Sequence, residues 1–267
     1  MKVDYSGDVR KSQRNNRKRR VIRNRIILAS GLFLFIILVT FILSLTVFFK
    51  VESIKVVGSC IYSVEDIILV SGIEKGDNMI RLSSDDISTK LETKLPYIKE
   101  AEIIKSYPNK MGIRVSPAVE SYLLKTNQGL CVADADYKVL RKVETDSKGL
   151  IKIVGIECNK LALGKTINFA EKQQRDLIRE IIGICNDAKI NVTYIDIESL
   201  LDIGFVIDGR LFIKVGSYAD LSAKFAHLKT MLDSIDDEVI ASISLENWST
   251  ENKKSVLKYE DISKLMK

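Results

Sequence analysis

The longest hydrophobic run in the chain extends from Ile26 to Phe49 and contains no charged residue. As an α-helix it would be about 36 Å long at the usual rise per residue. The hydrocarbon core of a bilayer is ~30 Å thick, so a helix of this length can cross it with some tilt. A buried core helix is the alternative, but long soluble helices normally carry a polar stripe. The pattern therefore predicts a transmembrane helix.

Residues 50–118 have the hydrophobic pattern of a small α+β domain, with its elements in the order strand, helix, helix, strand, strand. The predicted elements are a strand from Phe49 to Val57, a helix that begins at the capping box Ser63–Asp66, a helix that ends before Pro96, and strands at residues 101–107 and 110–115. The side chains predicted to face the core are Val64, Ile67, Ile68, Ile87, Leu91, Leu95, Met111, Ile113 and Val115.

Residues 119–260 predict a second domain, a mostly antiparallel sheet that carries two helices. The strands are predicted at residues 121–125, 130–133, 137–143, 150–154, 191–197, 203–207, 211–215, 239–245 and 255–259. The helices are predicted from about Phe169, after a cap at Asn168, to Asn186, and from Asp220 to Asp233. Asp208-Gly209 is the strongest hairpin signal in the chain.

The positive charge is concentrated before the apolar run. The chain has 41 Lys or Arg and 35 Asp or Glu, of which residues 1–25 hold ten and two respectively. By the positive-inside rule this tail is cytoplasmic and the large C-terminal part lies outside. A cleaved signal peptide is the alternative, but its apolar region is shorter, about 7–15 residues, and ends at a small-residue cleavage site. The sequence therefore predicts an uncleaved signal anchor.

The tail itself is predicted to be disordered, because it is polar and highly charged. Its basic residues could bind nucleic acid, but beside a membrane span they are better explained by orientation and by attraction to anionic lipid. We therefore expect the membrane as a partner and neither nucleic acid nor a small-molecule substrate.

Residues with catalytic or metal-binding chemistry are sparse. His227 is the single histidine, and a helical histidine of this kind is more often structural than catalytic. Gly164-Lys165-Thr166 resembles the end of a phosphate-binding loop, but Asn159 stands where that loop needs glycine. The four cysteines are Cys60, Cys131, Cys158 and Cys185, and none of them has C-x-x-C spacing. They are predicted to be small buried residues, and one disulfide among them remains an alternative. No catalytic, cofactor or metal site is predicted.

A family resemblance rests on four ordered motifs. They are F-K-V-x-x-I-x-V-x-G from Phe49, S-V-E-D-I from Ser63, S-G-I-x-x-G-x-N-M-I-x-L from Ser71, and L-P-Y-I-K-E-A-E-I-I-K-S-Y-P-N-K-M-G-I-R-V from Leu95. Together they resemble a POTRA domain of the FtsQ/DivIB type, which in that family follows a single signal anchor. The later turn and helix, Gly216 to Leu228, are similar to the β domain of the same family, though less distinctively.

This resemblance implies a bitopic, non-enzymatic scaffold of the bacterial divisome, required for septum formation and located in the cell membrane at the division septum. It implies partners similar to the membrane-anchored proteins FtsB/DivIC and FtsL. The predicted organisation is a cytoplasmic tail (1–25), a membrane span (26–49), a POTRA domain (50–118), a β domain (119–260) and a C-terminal tail (261–267). Two alternatives remain: another POTRA-bearing export or assembly component, and a membrane-anchored cell-wall enzyme.

The final predicted strand is the candidate partner site. It comprises Ser255, Val256, Leu257, Lys258 and Tyr259, and no later strand need cover its outer edge. Val256 and Lys258 should point to one side and the other three residues to the opposite side, with one set facing the core. The resemblance implies that a segment of an FtsB/DivIC-like protein pairs with this strand. A frayed polar tail is the alternative.

Overall fold

A computed structural model of the chain describes residues 25, 27–40, 48–147, 149–249, 251–252 and 254–266. Most of the predicted cytoplasmic tail therefore lies outside the described residues, as do Ile26 and residues 41–47 of the predicted span. Residues 27–40 form helix α1, whose side chains are exposed. Within the described ranges no helix is both long enough and apolar enough to cross a bilayer.

The predicted order of the first α+β elements is confirmed. The elements are β1 (Ser53–Val57), α2 (Val64–Ser71), α3 (Ser84–Lys94), β2 (Ile98–Ser106) and β3 (Lys110–Pro117). They include a three-stranded sheet in the order β1-β3-β2. The first strand was predicted to begin at Phe49, which is wrong: residues 49–51 form hydrogen bonds with residues 76–79 instead, so β1 begins at Ser53.

Helix α2 begins at the predicted cap, since the Ser63 hydroxyl accepts a hydrogen bond from the Asp66 amide at 3.1 Å. Ile67 is buried as expected, whereas Val64 is exposed, because this eight-residue helix buries only Ile67 and Ser71. Ile68 is only half-buried, and the remaining core predictions are confirmed, with these side chains buried: Ile87, Leu91, Leu95, Met111, Ile113 and Val115.

The second predicted domain contains a nine-stranded sheet and two helices, as expected. Its strands are β4 (Tyr122–Thr126), β5 (Gly129–Ala133), β6 (Val139–Val143), β7 (Ile151–Ile156), β8 (Val192–Asp196), β9 (Ile203–Ile207), β10 (Leu211–Gly216), β11 (Ala241–Ser244) and β12 (Val256–Lys258). The strand order is β12-β11-β10-β9-β8-β7-β4-β5-β6. The pairs β4/β7, β7/β8 and β10/β11 are parallel and the other pairs antiparallel.

Helices α4 (Lys172–Asp187) and α5 (Leu221–Leu232) cover one face of this sheet. The rings of Phe205 on β9 and Phe225 on α5 stack with their centroids 5.0 Å apart. Helix α4 begins three residues later than predicted and is not capped by Asn168. Its preceding residues pair with another segment: the Ala170 amide donates to the Glu157 carbonyl, so the chain there is extended rather than helical.

The chain divides into two compact units whose boundaries cut across the first sheet. The first unit holds the described residues up to Lys55 together with Ile73–Ser83 and Ile104–Gly112. It thus contains the start of the outer region, one loop and the tip of the β2–β3 hairpin. The second unit holds Val56–Gly72, Ser84–Ile103 and the chain from Ile113 onward, and so includes helices α2 to α5 and the nine-stranded sheet.

Candidate partner-binding edge

Strand β12 forms one edge of the nine-stranded sheet. It pairs antiparallel with β11 in the register Ser242 with Lys258, Ile243 with Leu257, and Ser244 with Val256. No strand from the described part of the chain lies on its other side. The backbone N–H and C=O groups that point outward from β12 are therefore available to an added strand.

The side chains of β12 alternate as predicted. Leu257 packs against the core beneath α5, whereas Val256 and Lys258 are exposed, Val256 to 63%. The prediction that Tyr259 shares the environment of Leu257 is wrong, since Tyr259 is 71% exposed. The ladder ends at Lys258, so Tyr259 is no longer held in the alternation of the strand.

A small polar and aromatic cluster lies at the beginning of β12. His227 Nε2 on α5 lies 3.3 Å from the hydroxyl oxygen of Ser255, which immediately precedes the strand. The His227 ring stacks on Trp248 with the ring centroids 5.6 Å apart. Trp248 is buried and follows the end of β11. His227 thus connects the helix layer to the edge strand, which is a structural role.

The other end of β12 is held by Glu260. Its carboxylate accepts a hydrogen bond from Lys258 Nζ at 2.7 Å and another from the Ser242 hydroxyl on β11. These contacts, the Lys258 bond first, lower the pKa of Glu260. The carboxylate is therefore charged at neutral pH and connects the end of the edge strand back to its neighbour.

The residues after Glu260 return to the sheet. Asp261 caps a short 3-10 helix (Ile262–Lys264) by accepting a hydrogen bond from the Ser263 amide at 3.0 Å. Ile262 is buried on the sheet face opposite the helices, beside Tyr194, Val206 and Phe212. The sequence interpretation treated residues 261–267 only as a tail. The spacing of Ile262 and Leu265, three residues apart, was the available signal for this docked turn.

The opposite edge of the sheet, β6, is covered over its first part. The Val139 amide donates to the Lys165 carbonyl at 3.0 Å, and the Gly164 amide donates to the Val139 carbonyl at 2.8 Å. Just before β6, the Tyr137 carbonyl accepts a hydrogen bond from the Ile167 amide. Residues 164–167, which we call the β6 cover, therefore occupy backbone groups that are left open on β12. This segment includes the residues that resembled a phosphate-binding loop.

A partly buried polar junction lies beside the β6 cover, inside the second compact unit. Lys138 is buried and its Nζ donates to the Ile98 carbonyl at 2.6 Å. Glu120 accepts hydrogen bonds from the Tyr97 hydroxyl and from the Arg141 guanidinium, both at 2.7 Å. Burial and the Glu120 contact raise the pKa of Tyr97 to about 12, and the Arg141 contact lowers the pKa of Glu120. Sequence reasoning missed this junction, because its members are separated along the chain.

The cysteines do not form a reactive site. All four are free thiols, three of them buried and Cys60 half-buried. Burial raises the pKa values of Cys131 and Cys185 to about 12, so both remain protonated thiols at neutral pH. In the described ranges no group of three or more His, Cys, Asp or Glu side chains is placed to bind a metal ion.

Comparison with known proteins gives evidence on the family of the chain. Residues 49–116 match the family model of the POTRA domain, FtsQ-type. The chain is 27% identical over 212 residues to the cell division protein DivIB of Clostridium botulinum strain Hall, covering 78% of this chain and 80% of that protein. It is 26% identical over 202 residues to the cell division protein FtsQ of Syntrophotalea carbinolica, covering 71% and 70% respectively. These matches support placement in the FtsQ/DivIB family, with an FtsQ-type POTRA domain at residues 49–116.

Both relatives are named cell division proteins, which supports a role in the divisome. The matched domain is a POTRA fold, which is a non-catalytic scaffold. The open edge of β12 is the candidate protein-binding surface that was predicted from the sequence.

Proposed function

We propose that this protein is a bitopic membrane scaffold of the bacterial divisome that is required for septum formation. Its N-terminal tail lies in the cytoplasm, a single span comprises Ile26–Phe49, and the POTRA and β domains lie outside the cytoplasm at the division septum. The division-protein names of the relatives support this role. The uncharged length of the span and the basic excess before it support this orientation, with anionic lipid attracting the tail.

The observation that carries the proposal is the open outer edge of β12. An extended segment of an FtsB/DivIC-like protein would add to this edge as a further strand, and an FtsL-like protein would join through the same assembly. Backbone hydrogen bonds supply affinity in strand addition, and alternate side chains supply specificity. Val256 and Lys258 lie on the exposed face and would supply specificity. Because Leu257 already packs on the core, the strand is ordered before a partner arrives.

Proline substitution tests the edge directly. Neighbouring amides in a strand point to opposite sides, so one of Val256 and Leu257 donates outward and the other toward β11. Proline at either position removes that donor. The control Val256→Ala shortens the side chain and retains the amide. In a pull-down with the full chain in detergent, the wild-type protein and the Val256→Ala variant should both recover an FtsB/DivIC-like protein. One or both of the proline variants should fail to recover it. Equal recovery by all four, with unchanged circular dichroism, contradicts binding at this edge.

Topology has its own test. Protease added to intact protoplasts should digest the chain beyond Lys50 and leave the basic tail protected. Digestion of the tail with the rest protected would reverse the proposed orientation.

A further inference from the structure

The outer part of the first compact unit follows the predicted span directly. Phe49, the last residue of the uncharged run, accepts a hydrogen bond through its carbonyl from the Met79 amide at 2.8 Å. Two residues later, Val51 donates to the Asp77 carbonyl at 2.9 Å and accepts from the Gly76 amide at 2.8 Å. The chain therefore enters a folded unit at once, with no flexible linker after Phe49.

The tip of the β2–β3 hairpin contacts the same residues. The Phe49 and Tyr107 rings meet edge to face with their centroids 5.5 Å apart. The Glu52 amide donates to the Asn109 carbonyl at 2.9 Å, and Asn109 Nδ2 donates to the Glu52 carboxylate at 2.6 Å. Lys105 Nζ donates to the Leu82 carbonyl and so connects the hairpin to the loop. The loop and the hairpin tip are thus both fixed beside the end of the predicted span.

Three large apolar side chains are exposed in the described outer part of this unit, residues 48–55, 73–83 and 104–112. Phe48 is 67% exposed, Tyr107 58% and Ile80 49%. Aromatic and aliphatic side chains of this kind are characteristic of the zone between lipid headgroups and acyl chains.

The charge of the unit also differs from that of the rest of the outer region. These 28 residues contain six Lys or Arg and three Asp or Glu. The remainder of the chain from Lys50 onward contains 25 basic and 30 acidic residues. Lys50, Arg81 and Lys110 are exposed, and each lies within three residues of Phe48, Ile80 or Tyr107 along the chain. A basic surface with interleaved aromatic residues is suited to an anionic phospholipid surface.

We propose that this face lies in the outer headgroup layer of the bilayer that the chain spans. We call it the juxtamembrane face and define it by Phe48, Ile80 and Tyr107 with Lys50, Arg81 and Lys110. The occupant follows from chain continuity: one residue advances the backbone by at most ~3.6 Å, so groups that touch Phe49 are close to the end of the span. The apolar side chains enter the boundary of the acyl chains and the basic groups bind lipid phosphates. This inference rests on the proposed membrane span.

Fluorescence quenching tests the inference in the full chain. The protein, wild type or Tyr107→Trp, is reconstituted in nanodiscs of phosphatidylglycerol with lipids brominated near the headgroup end of the acyl chain. Wild-type emission, from Trp248 alone, is the baseline. The control Tyr218→Trp places the probe at a tyrosine of similar exposure, 56%, in the second unit. We expect blue-shifted emission and strong quenching for the probe at position 107, and clearly weaker quenching for the probe at position 218.

A second arm tests the charge. Arg81→Glu with Lys110→Glu, added to Tyr107→Trp, should reduce quenching by about twofold or more, since each basic group near an anionic surface contributes to attraction. Lys172→Glu with Lys229→Glu, in the second unit, is the matched charge reversal and should leave quenching unchanged.

The outcomes separate this inference from the proposed function. If carbonate extraction releases the full chain from membranes, the span itself is wrong. If the chain resists extraction but the probe at position 107 is quenched no more than the probe at position 218, the span stands and the juxtamembrane face is refuted. Quenching at position 107 that is insensitive to both charge reversals supports apolar insertion and refutes the phosphate contacts.

Discussion

The two edges of the nine-stranded sheet are treated in opposite ways. The β6 edge is covered by residues 164–167, whose backbone groups pair with Tyr137 and Val139. The β12 edge has no such cover among the described residues, yet its strand is held in place at both ends, by His227 at the start and by Glu260 at the finish. One edge is covered at its first residue, and the other is ordered and open.

This difference shows how a sheet protein can limit strand addition to one location. An uncovered edge is normally a risk for aggregation, and proteins shorten, charge or cover such edges. Here β12 has only three residues and carries the charged Lys258 on its exposed face. A short, preordered edge admits a specific partner strand and gives little template for unspecific pairing.

The largest expected effect comes from breaking the β6 cover at Gly164. A Cβ there would lie 2.0 Å from the Thr93 carbonyl oxygen, and φ is +72°. Gly164→Ala should therefore lower the free energy of unfolding by about 3 kcal/mol or more. Gly209→Ala is the control, because φ is +68° and nothing lies within 4 Å of its Cβ. The free energy of unfolding of Gly209→Ala should be lower than that of wild type by only about 1 kcal/mol. Equal decreases in the free energy of unfolding for the two variants, measured by urea denaturation, would show that the β6 cover can shift to accommodate a Cβ at position 164.

The next effect concerns the anchoring of β12. Ile262→Ala removes the buried side chain that follows the edge strand, and should lower the free energy of unfolding by about 2 kcal/mol. Hydrogen exchange of the Val256–Lys258 amides should become faster, because their C-terminal attachment is loosened. Met266→Ala, at a partly exposed neighbour, serves as the control and should change neither quantity. Unchanged exchange in Ile262→Ala would mean that β12 is held by β11 alone.

A smaller effect is expected at the junction beside β6. Glu120→Gln should lower stability at neutral pH by about 0.5 kcal/mol, since Arg141 is partly exposed and solvent screens the pair. The pKa of Glu120 is lowered in the folded state, so its contribution exists above the ordinary glutamate pKa and is lost as pH falls through the folded pKa. The difference between wild type and Glu120→Gln should thus shrink as the pH falls below the ordinary glutamate pKa.

The control for this substitution is Glu102→Gln, which breaks an ion pair exposed on both sides and should have no measurable effect. A difference between wild type and Glu120→Gln that grows toward acid pH would contradict the assigned ion pair.

The smallest effect is expected at the open edge itself. Lys258→Ala removes the contact with Glu260, but Lys258 is well exposed. The melting temperature measured by calorimetry should be unchanged. A decrease as large as that of Ile262→Ala would assign the anchoring of β12 to the ion pair instead of the buried isoleucine.

Local signals explain what the sequence could predict. Asp208-Gly209 was predicted as a hairpin turn, and both residues have positive φ in the hairpin between β9 and β10. The core face of β3 followed from alternation, and the start of α2 from the Ser63 cap. Each of these features depends on residues a few positions apart, so the information lies within one short segment.

The missed features depend on distant segments. The β6 cover brings residues 164–167 against residues 137–139, and the junction joins Tyr97, Glu120 and Arg141. Strand β10 pairs in parallel with β11 across the intervening α5. The periodicity of hydrophobic residues identifies helices and strands, but it does not show which of them pack or pair with one another. For the same reason the sequence predicted β12 as an edge strand of the sheet but did not show that Ile262 anchors it.

The burial of three thiols has a practical consequence for chemical labelling. A maleimide reacts with an accessible thiolate, and Cys131, Cys158 and Cys185 are inaccessible in the folded protein. Cys60, half-buried near the start of α2, is the one native position among the four that a reagent can reach. A spectroscopic label can therefore be attached at a single site without removing any cysteine, and reaction at the other three would report unfolding of the sheet.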